Sequence, residues 1–159
     1  LSRGLGDVYK RQNENHPKNR LTFIWLKEWA DLAGVRMNFP SPHHPVKSVH
    51  AMRFCCALES DQDKLARFAH VAFEAYFGDQ RNLDDPAVLK AIAAECGFDA
   101  EALAAQSTSD SVKDRLRANT QEAIDRGAYG SPTIFVDRQF LYFGNDQLPL
   151  VRQRLAGSK

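Results

Sequence analysis

Ser131-Pro132 runs directly into the β-branched and aromatic stretch Thr133-Ile134-Phe135-Val136, and this join constrains the fold more than any other part of the chain. Proline has no backbone N–H and does not sit inside a sheet, so Pro132 marks the entry of a strand and not its middle. The Ser131-Pro132 bond reads as cis. A cis bond turns the chain sharply and leaves the N–H and C=O of Ser131 facing outward, unpaired by the strand that follows. Those two groups are what an extended peptide would pair with.

The surroundings agree. Thr133 to Val136 and Phe140 to Phe143 flank Asp137-Arg138-Gln139, a connection of hairpin length, and Asn145 or Asp146 is placed to cap a closing helix through Leu148, Leu150, Val151 and Leu155. Everything upstream reads as helix and loop. Apolar residues from Arg20 to Ala33 recur at spacings of three and four, with Gly34 as the stop; Trp25 and Trp29 fall on this helix and are expected in its core. Asn38 to Pro45 carries three prolines and predicts an extended loop. Further helices are predicted over Ser48 to Glu59, Asp61 to Phe77, Asp84 or Asp85 to Cys96, Asp99 to Gln106, and Asp110 to Arg126, with Gly97 and Gly127 as stops. One apolar hairpin seldom makes a stable sheet, so more strands are expected than these residues supply.

At 159 residues, 43% hydrophobic and 26% charged, the chain has the make-up of one globular domain, and a net charge of +1 gives no electrostatic reason to expect nucleic acid or an anionic membrane as partner. No apolar run approaches the roughly 20 residues that span a bilayer, and none resembles a signal peptide, so a cytoplasmic location is expected. Cys55, Cys56 and Cys96 lack Cys-x-x-Cys spacing and read as buried thiols. His43, His44 and His50 lie in or beside a proline loop that offers no rigid ligand set, so no metal is expected. Residues 1–12 (LSRGLGDVYKRQ) show no periodicity that joins them to the rest and resemble adapter read-through, so a non-native tail over 1–12 is expected, followed by a helical region over 13–126 and a ββα unit over 127–159.

Several stretches resemble the 2-hydroxychromene-2-carboxylate isomerase family, relatives of kappa-class glutathione transferases and DsbA-type oxidoreductases. They are Pro17-Lys18, the Asn38-Phe39-Pro40 loop, His44 to Arg53 (HPVKSVHAMR), Arg117 to Ala123 (RANTQEA), Arg126 to Thr133 (RGAYGSPT) and Phe143-Gly144-Asn145-Asp146. The resemblance implies an α/β, thioredoxin-like fold of DsbA/kappa type with a large helical insertion, here without its N-terminal βαβ half and therefore mostly helical with one hairpin. It also implies glutathione as cofactor, a small aromatic carboxylate as substrate, and isomerisation through addition and elimination of the thiolate. A homodimer stays open.

By the same resemblance, Ser131 and Pro132 hold the cysteinyl part of glutathione through main-chain atoms. Phe143, Gly144, Asn145 and Asp146 receive its γ-glutamyl end, while Lys18 and Lys47 are candidate contacts to substrate. No serine of this chain stands in the strand-to-helix context of the family's thiolate-orienting serine. No catalytic residue is therefore assigned, and little isomerase activity is expected of the chain alone. Two other readings stand beside this one. A thiol-disulfide oxidoreductase or glutathione transferase of the same fold is the first, and a non-catalytic helical binding module is the second. Simple readings also exist for single residues: Asn145 or Asp146 as a plain helix cap, and Lys18 and Lys47 as solvated surface lysines.

Overall fold

A computed structural model describes residues 17–157, with side chains from Arg20 onward. The chain divides into two compact units, the first running through Ser107 and the second starting at Thr108. Among the described residues, no helix is long and apolar enough to cross a membrane.

The first unit is helical. Its elements are α1 (Pro17–Ala33), α2 (Val49–Ala57), α3 (Gln62–Phe73) with a π turn over Glu74–Gly78, α4 (Pro86–Glu95) and α5 (Ala100–Ser107). The starts follow local chemistry. The Asp61 carboxylate accepts from the Lys64 amide, and Asp85 accepts from the Ala87 amide with Pro86 in the first turn. These side chains satisfy amides that a helix N-terminus leaves without partners. The ends are set by glycines: Gly34 and Gly97 have φ of +66° and +75°, a left-handed conformation that costs a residue without Cβ little.

Phe54, Phe68, Tyr76, Leu89, Ile92, Cys96 and Leu103 form the centre of one core drawn from α2 to α5. Phe54 stacks on Phe68 with ring centroids 5.4 Å apart. Arg81 donates to Glu95 at 2.9 Å, tying the loop before α4 to that helix's last turn. The proline loop after α1 is anchored by polar bonds: the Asn38 amide reaches the Gly78 carbonyl at 2.5 Å, and the Gln80 side chain donates to the Asn38 carbonyl at 2.8 Å.

One expectation about α1 is corrected. Trp25 and Trp29 are not core residues; they are 53% and 52% exposed. The helix buries Ala30 and half-buries Leu26, and on a wheel of 100° per residue these lie on one arc while Trp25, Trp29, Leu21 and Leu32 lie on another. Apolar residues occur on both arcs, so spacing alone did not say which one packs.

The second unit contains α6 (Asp110–Asp125), β1 (Thr133–Val136), β2 (Phe140–Phe143), a 3-10 turn (Asn145–Gln147) and α7 (Leu148–Gly157). Both strands occupy the residues that the sequence predicts. They pair antiparallel with Thr133 opposite Phe143 and Val136 opposite Phe140, which places Thr133, Phe135, Leu141 and Phe143 on one face and Ile134, Val136, Phe140 and Tyr142 on the other. Asp137 and Arg138 take φ of 52° and 58° in the tight connection. The α7 helix packs back on β1, and Val151 and Val136 are both buried.

Leu89 is wholly buried at the centre of the helical core, so Leu89→Ala should lower unfolding free energy by about 2–5 kcal/mol in urea titrations, while Asp85→Ala should cost about 1 kcal/mol. A Leu89→Ala loss below that of the cap variant would contradict this account of the core.

Candidate functional site

The second unit brings together the two motifs that lie on either side of the hairpin. The Ser131-Pro132 bond is cis, as the sequence reading has it. The Gly144 amide donates to the Pro132 carbonyl at 3.0 Å, extending the ladder by one bond past the Thr133–Phe143 pair. Ser131, Pro132, Phe143, Gly144, Asn145 and Asp146 therefore share one edge of the unit. Ser131 is exposed, and among the described residues its main chain makes no hydrogen bond. The Thr133 hydroxyl donates to the Gly130 carbonyl at 2.6 Å and closes the turn that leads into the strand.

Two glycines give this edge its shape. Gly144 has φ of +105° and ψ of 154°, a region open in practice only to glycine, and a Cβ there would run into the Asp146 carboxylate. Gly130 is needed for space. A Cβ on it would lie 2.6 Å from Cε2 and 3.1 Å from Cζ of Phe143. The Phe143 ring therefore lies directly against the main chain that precedes Ser131, and the Tyr129 ring contacts it at a tilt of 39° with centroids 4.6 Å apart. Neither Tyr129 nor Gly130 was singled out from the sequence as a site residue. The signal was present as an aromatic next to a glycine ahead of the proline, but only the fold shows which ring the glycine admits.

The expected cap of the last helix is corrected. Neither Asn145 nor Asp146 caps it through a side chain; they belong to a 3-10 turn that intervenes before Leu148, and Gly144 holds the cap position of that turn. The physical reason is local. The Asp146 carboxylate accepts from the Gln147 side-chain amide at 3.0 Å instead of turning back to the helix amides, and it stays exposed.

Of the other candidate residues, Lys47 is exposed in the first unit, where its backbone N–H donates to the Asp84 carboxylate at 2.8 Å. The Lys18 backbone is part of α1, and its side chain lies outside the described residues. His44 Nδ1 lies 3.0 Å from the Tyr76 hydroxyl, and burial pushes that phenol above its usual range. A cleft of about 520 Å³ is lined by Tyr142, Leu150, Gln153, Arg154 and Gly157. Its Tyr142 is on the opposite sheet face from Phe143, and none of Ser131, Pro132, Phe143, Gly144, Asn145 and Asp146 lines it. Arg154 is held there by the Phe140 ring, 3.8 Å below, and by the Tyr142 hydroxyl.

The thiols differ in burial. Cys96 is buried, whereas Cys55 and Cys56 are partly buried, which modifies the expectation of three buried thiols. Burial, aided by the neighbouring Cys56, pushes the Cys55 thiol up to about 11, and burial also raises Cys96.

Residues 3–156 match the family model of the DSBA-like thioredoxin domain. The chain belongs to that family. It is 28% identical over 152 residues to a 2-hydroxychromene-2-carboxylate isomerase of Sphingobium xenophagum, covering 94% of this chain and 74% of the relative. Identity to a protein of the same name from Pseudomonas putida is 25% over 144 residues, covering 91% and 68%. Among solved structures, a 2-hydroxychromene-2-carboxylate isomerase superposes with a TM-score of 0.67 at 22% identity, covering 96% of this chain and 76% of that one. A Nitrosomonas europaea protein described as a disulfide isomerase superposes with a TM-score of 0.69 at 19% identity, covering 90% and 76%. The fold is thus the DsbA-like thioredoxin fold, represented among the described residues by helices and a single two-stranded antiparallel sheet.

Two measurements check this geometry. Gly144→Ala should cost about 1–3 kcal/mol of stability because its conformation is closed to alanine, and Gly130→Ala should abolish proton NOEs between the Tyr129 and Phe143 rings. Retained NOEs in Gly130→Ala would show that the ring does not need the glycine. The Cys55 thiol ionises later in the folded chain than in the unfolded one. Stability from this group is therefore whole below about pH 9 and is lost as pH rises toward about 11. Cys55→Ala should flatten the alkaline fall of the urea midpoint over that window, and an equally steep fall would rule the thiol out as its cause.

Proposed function

We propose that this chain carries the glutathione-holding part of a glutathione-dependent isomerase acting on 2-hydroxychromene-2-carboxylate-like aromatic substrates. One observation carries the reading: the Gly144-to-Pro132 hydrogen bond sets an open main-chain edge at Ser131 beside the carboxylate of Asp146. The relatives' shared name supplies the reaction class.

The residues fit such a ligand. The Ser131 N–H and C=O pair with a peptide unit as one more strand would, giving an antiparallel contact that depends on backbone and not on the serine side chain. The exposed Asp146 carboxylate takes an ammonium, and an ammonium-carboxylate hydrogen bond is roughly twice as strong as a neutral one. Gly144 keeps the approach to the main chain open, since any Cβ there would fill the space beside Asp146. When bound, glutathione supplies the thiolate that adds to the conjugated substrate and later leaves it. Lys47 and Lys18, both in the first unit, are assigned to the substrate carboxylate by resemblance.

The Cys55 thiol does not favour a disulfide-exchange reading. With its thiol pushed up to about 11, Cys55 is on the order of one part in ten thousand thiolate at neutral pH, and thiolate is the reacting form.

Calorimetric titration with reduced glutathione tests the proposal. Asp146→Ala should weaken binding about 10-fold, as expected for losing one charge-assisted hydrogen bond, whereas Ser131→Ala should change the dissociation constant less than about 2-fold. An Asp146→Ala constant equal to wild type would remove Asp146 from the site, and no glutathione binding by the wild-type chain would sink the reading itself.

A further inference from the structure

We propose that Tyr129 is a specificity-determining wall of the same ligand surface, stacking on an aryl or other planar conjugated group carried beside the glutathione sulfur; this rests on the glutathione reading above. Tyr129 is 73% exposed, yet its ring is positioned by Phe143, itself 39% exposed, at a centroid distance of 4.6 Å and an interplanar angle of 39°. Leaving most of the Tyr129 ring in water forgoes the gain of burying it, which for large aromatic side chains is among the largest available to a fold. Phe143 is partly covered by Gly130 and Tyr129, whereas Tyr129 stays largely open, although the described hydrophobic core of the second unit consists of only Val112, Val136 and Val151.

The pair is also held in place. Phe143 is fixed in register by its pairing with Thr133, and the absence of a side chain on Gly130 lets the ring rest on the main chain just before Ser131. Tyr129 in turn packs at a tilt against that ring, two residues before the peptide-pairing edge. A continuous surface results. It is linked by successive contacts: the Asp146 carboxylate lies beside Gly144, the Gly144 amide bonds Pro132, and Phe143 lies against Gly130 with Tyr129 on it. A γ-glutamyl peptide bearing an aryl group on sulfur has that same sequence of chemistries: an ammonium, peptide groups, and a planar apolar ring. Pre-positioned rings bind such a group with little loss of side-chain freedom. The contact uses the ring face, so the hydroxyl of Tyr129 is dispensable.

The test compares S-methylglutathione with S-benzylglutathione by calorimetric titration of wild type, Tyr129→Phe, Tyr129→Ala and Tyr129→Leu. Circular dichroism and urea midpoints confirm that each variant is folded. Wild type and Tyr129→Phe should favour the benzyl ligand about 10-fold. Tyr129→Ala and Tyr129→Leu should cut that preference about 5-fold while leaving the S-methyl constant unchanged, as expected for losing a ring-on-ring contact. A benzyl preference unchanged in both Tyr129→Ala and Tyr129→Leu, with glutathione still bound, overturns the role of Tyr129 and leaves the glutathione reading standing. Failure of wild type to bind glutathione and both derivatives overturns the two together.

Discussion

The hydrogen bond from the Gly144 amide to the Pro132 carbonyl is the interaction on which the candidate site depends. Twelve positions separate these residues in the chain, and the hairpin register closes that gap by setting Thr133 against Phe143. Once the register is set, the bond beyond the last strand pair follows, and the Ser131 edge and Asp146 turn become neighbours. A shift of one residue would turn Phe143 to the other sheet face and take Gly144 out of reach of Pro132. The tight connection with Asp137 and Arg138 in the left-handed region therefore matters to the site, although both are at the far end of the hairpin.

The two units rest on different physics. In the first, four helices share a core centred on Phe68, Leu89 and Ile92, all wholly buried, and the caps at Asp61 and Asp85 sharpen the helix starts. In the second, few side chains are buried, and polar or ring contacts carry more of the order: Arg126 over Phe135, Arg154 over Phe140, Tyr129 against Phe143. Cation–π and ring–ring contacts are each worth roughly 0.5–1.5 kcal/mol, less than a fully buried leucine, but they are directional. Direction is what a binding edge needs. A site whose groups must point outward cannot be held by burial alone.

Much of the fold was legible from residue order. Strand limits at Thr133–Val136 and Phe140–Phe143 followed from β-branched and aromatic runs bounded by Pro132 and Gly144, and helix stops at Gly34, Gly97 and Gly127 followed from the left-handed conformation that glycine accepts. Local chemistry dictates such features, so a local reading finds them. The burial of α1 was less legible because apolar residues occupy both of its arcs, and the packing of Ala30 decided between them. The cap of α7 was misplaced for a similar reason. Asn145 and Asp146 are both good caps in isolation, but Asp146 bonds Gln147, and both lie in a 3-10 turn capped by Gly144 that precedes the helix.

For the site, the sequence by itself determined the parts: a proline leading a strand, Ser131 before it, and a Gly-Asn-Asp turn after the hairpin, because each of these is a property of a few consecutive residues. Only the tertiary structure decided their arrangement. It set the Pro132 carbonyl on the Gly144 amide, left the Asp146 carboxylate beside the edge, and used the missing Cβ of Gly130 to lay Phe143 against the backbone and Tyr129 against Phe143. Backbone conformation is set by neighbours in the chain. Which ring fills the space over a glycine is set by strand register and close packing between residues far apart in sequence, and no local pattern encodes that.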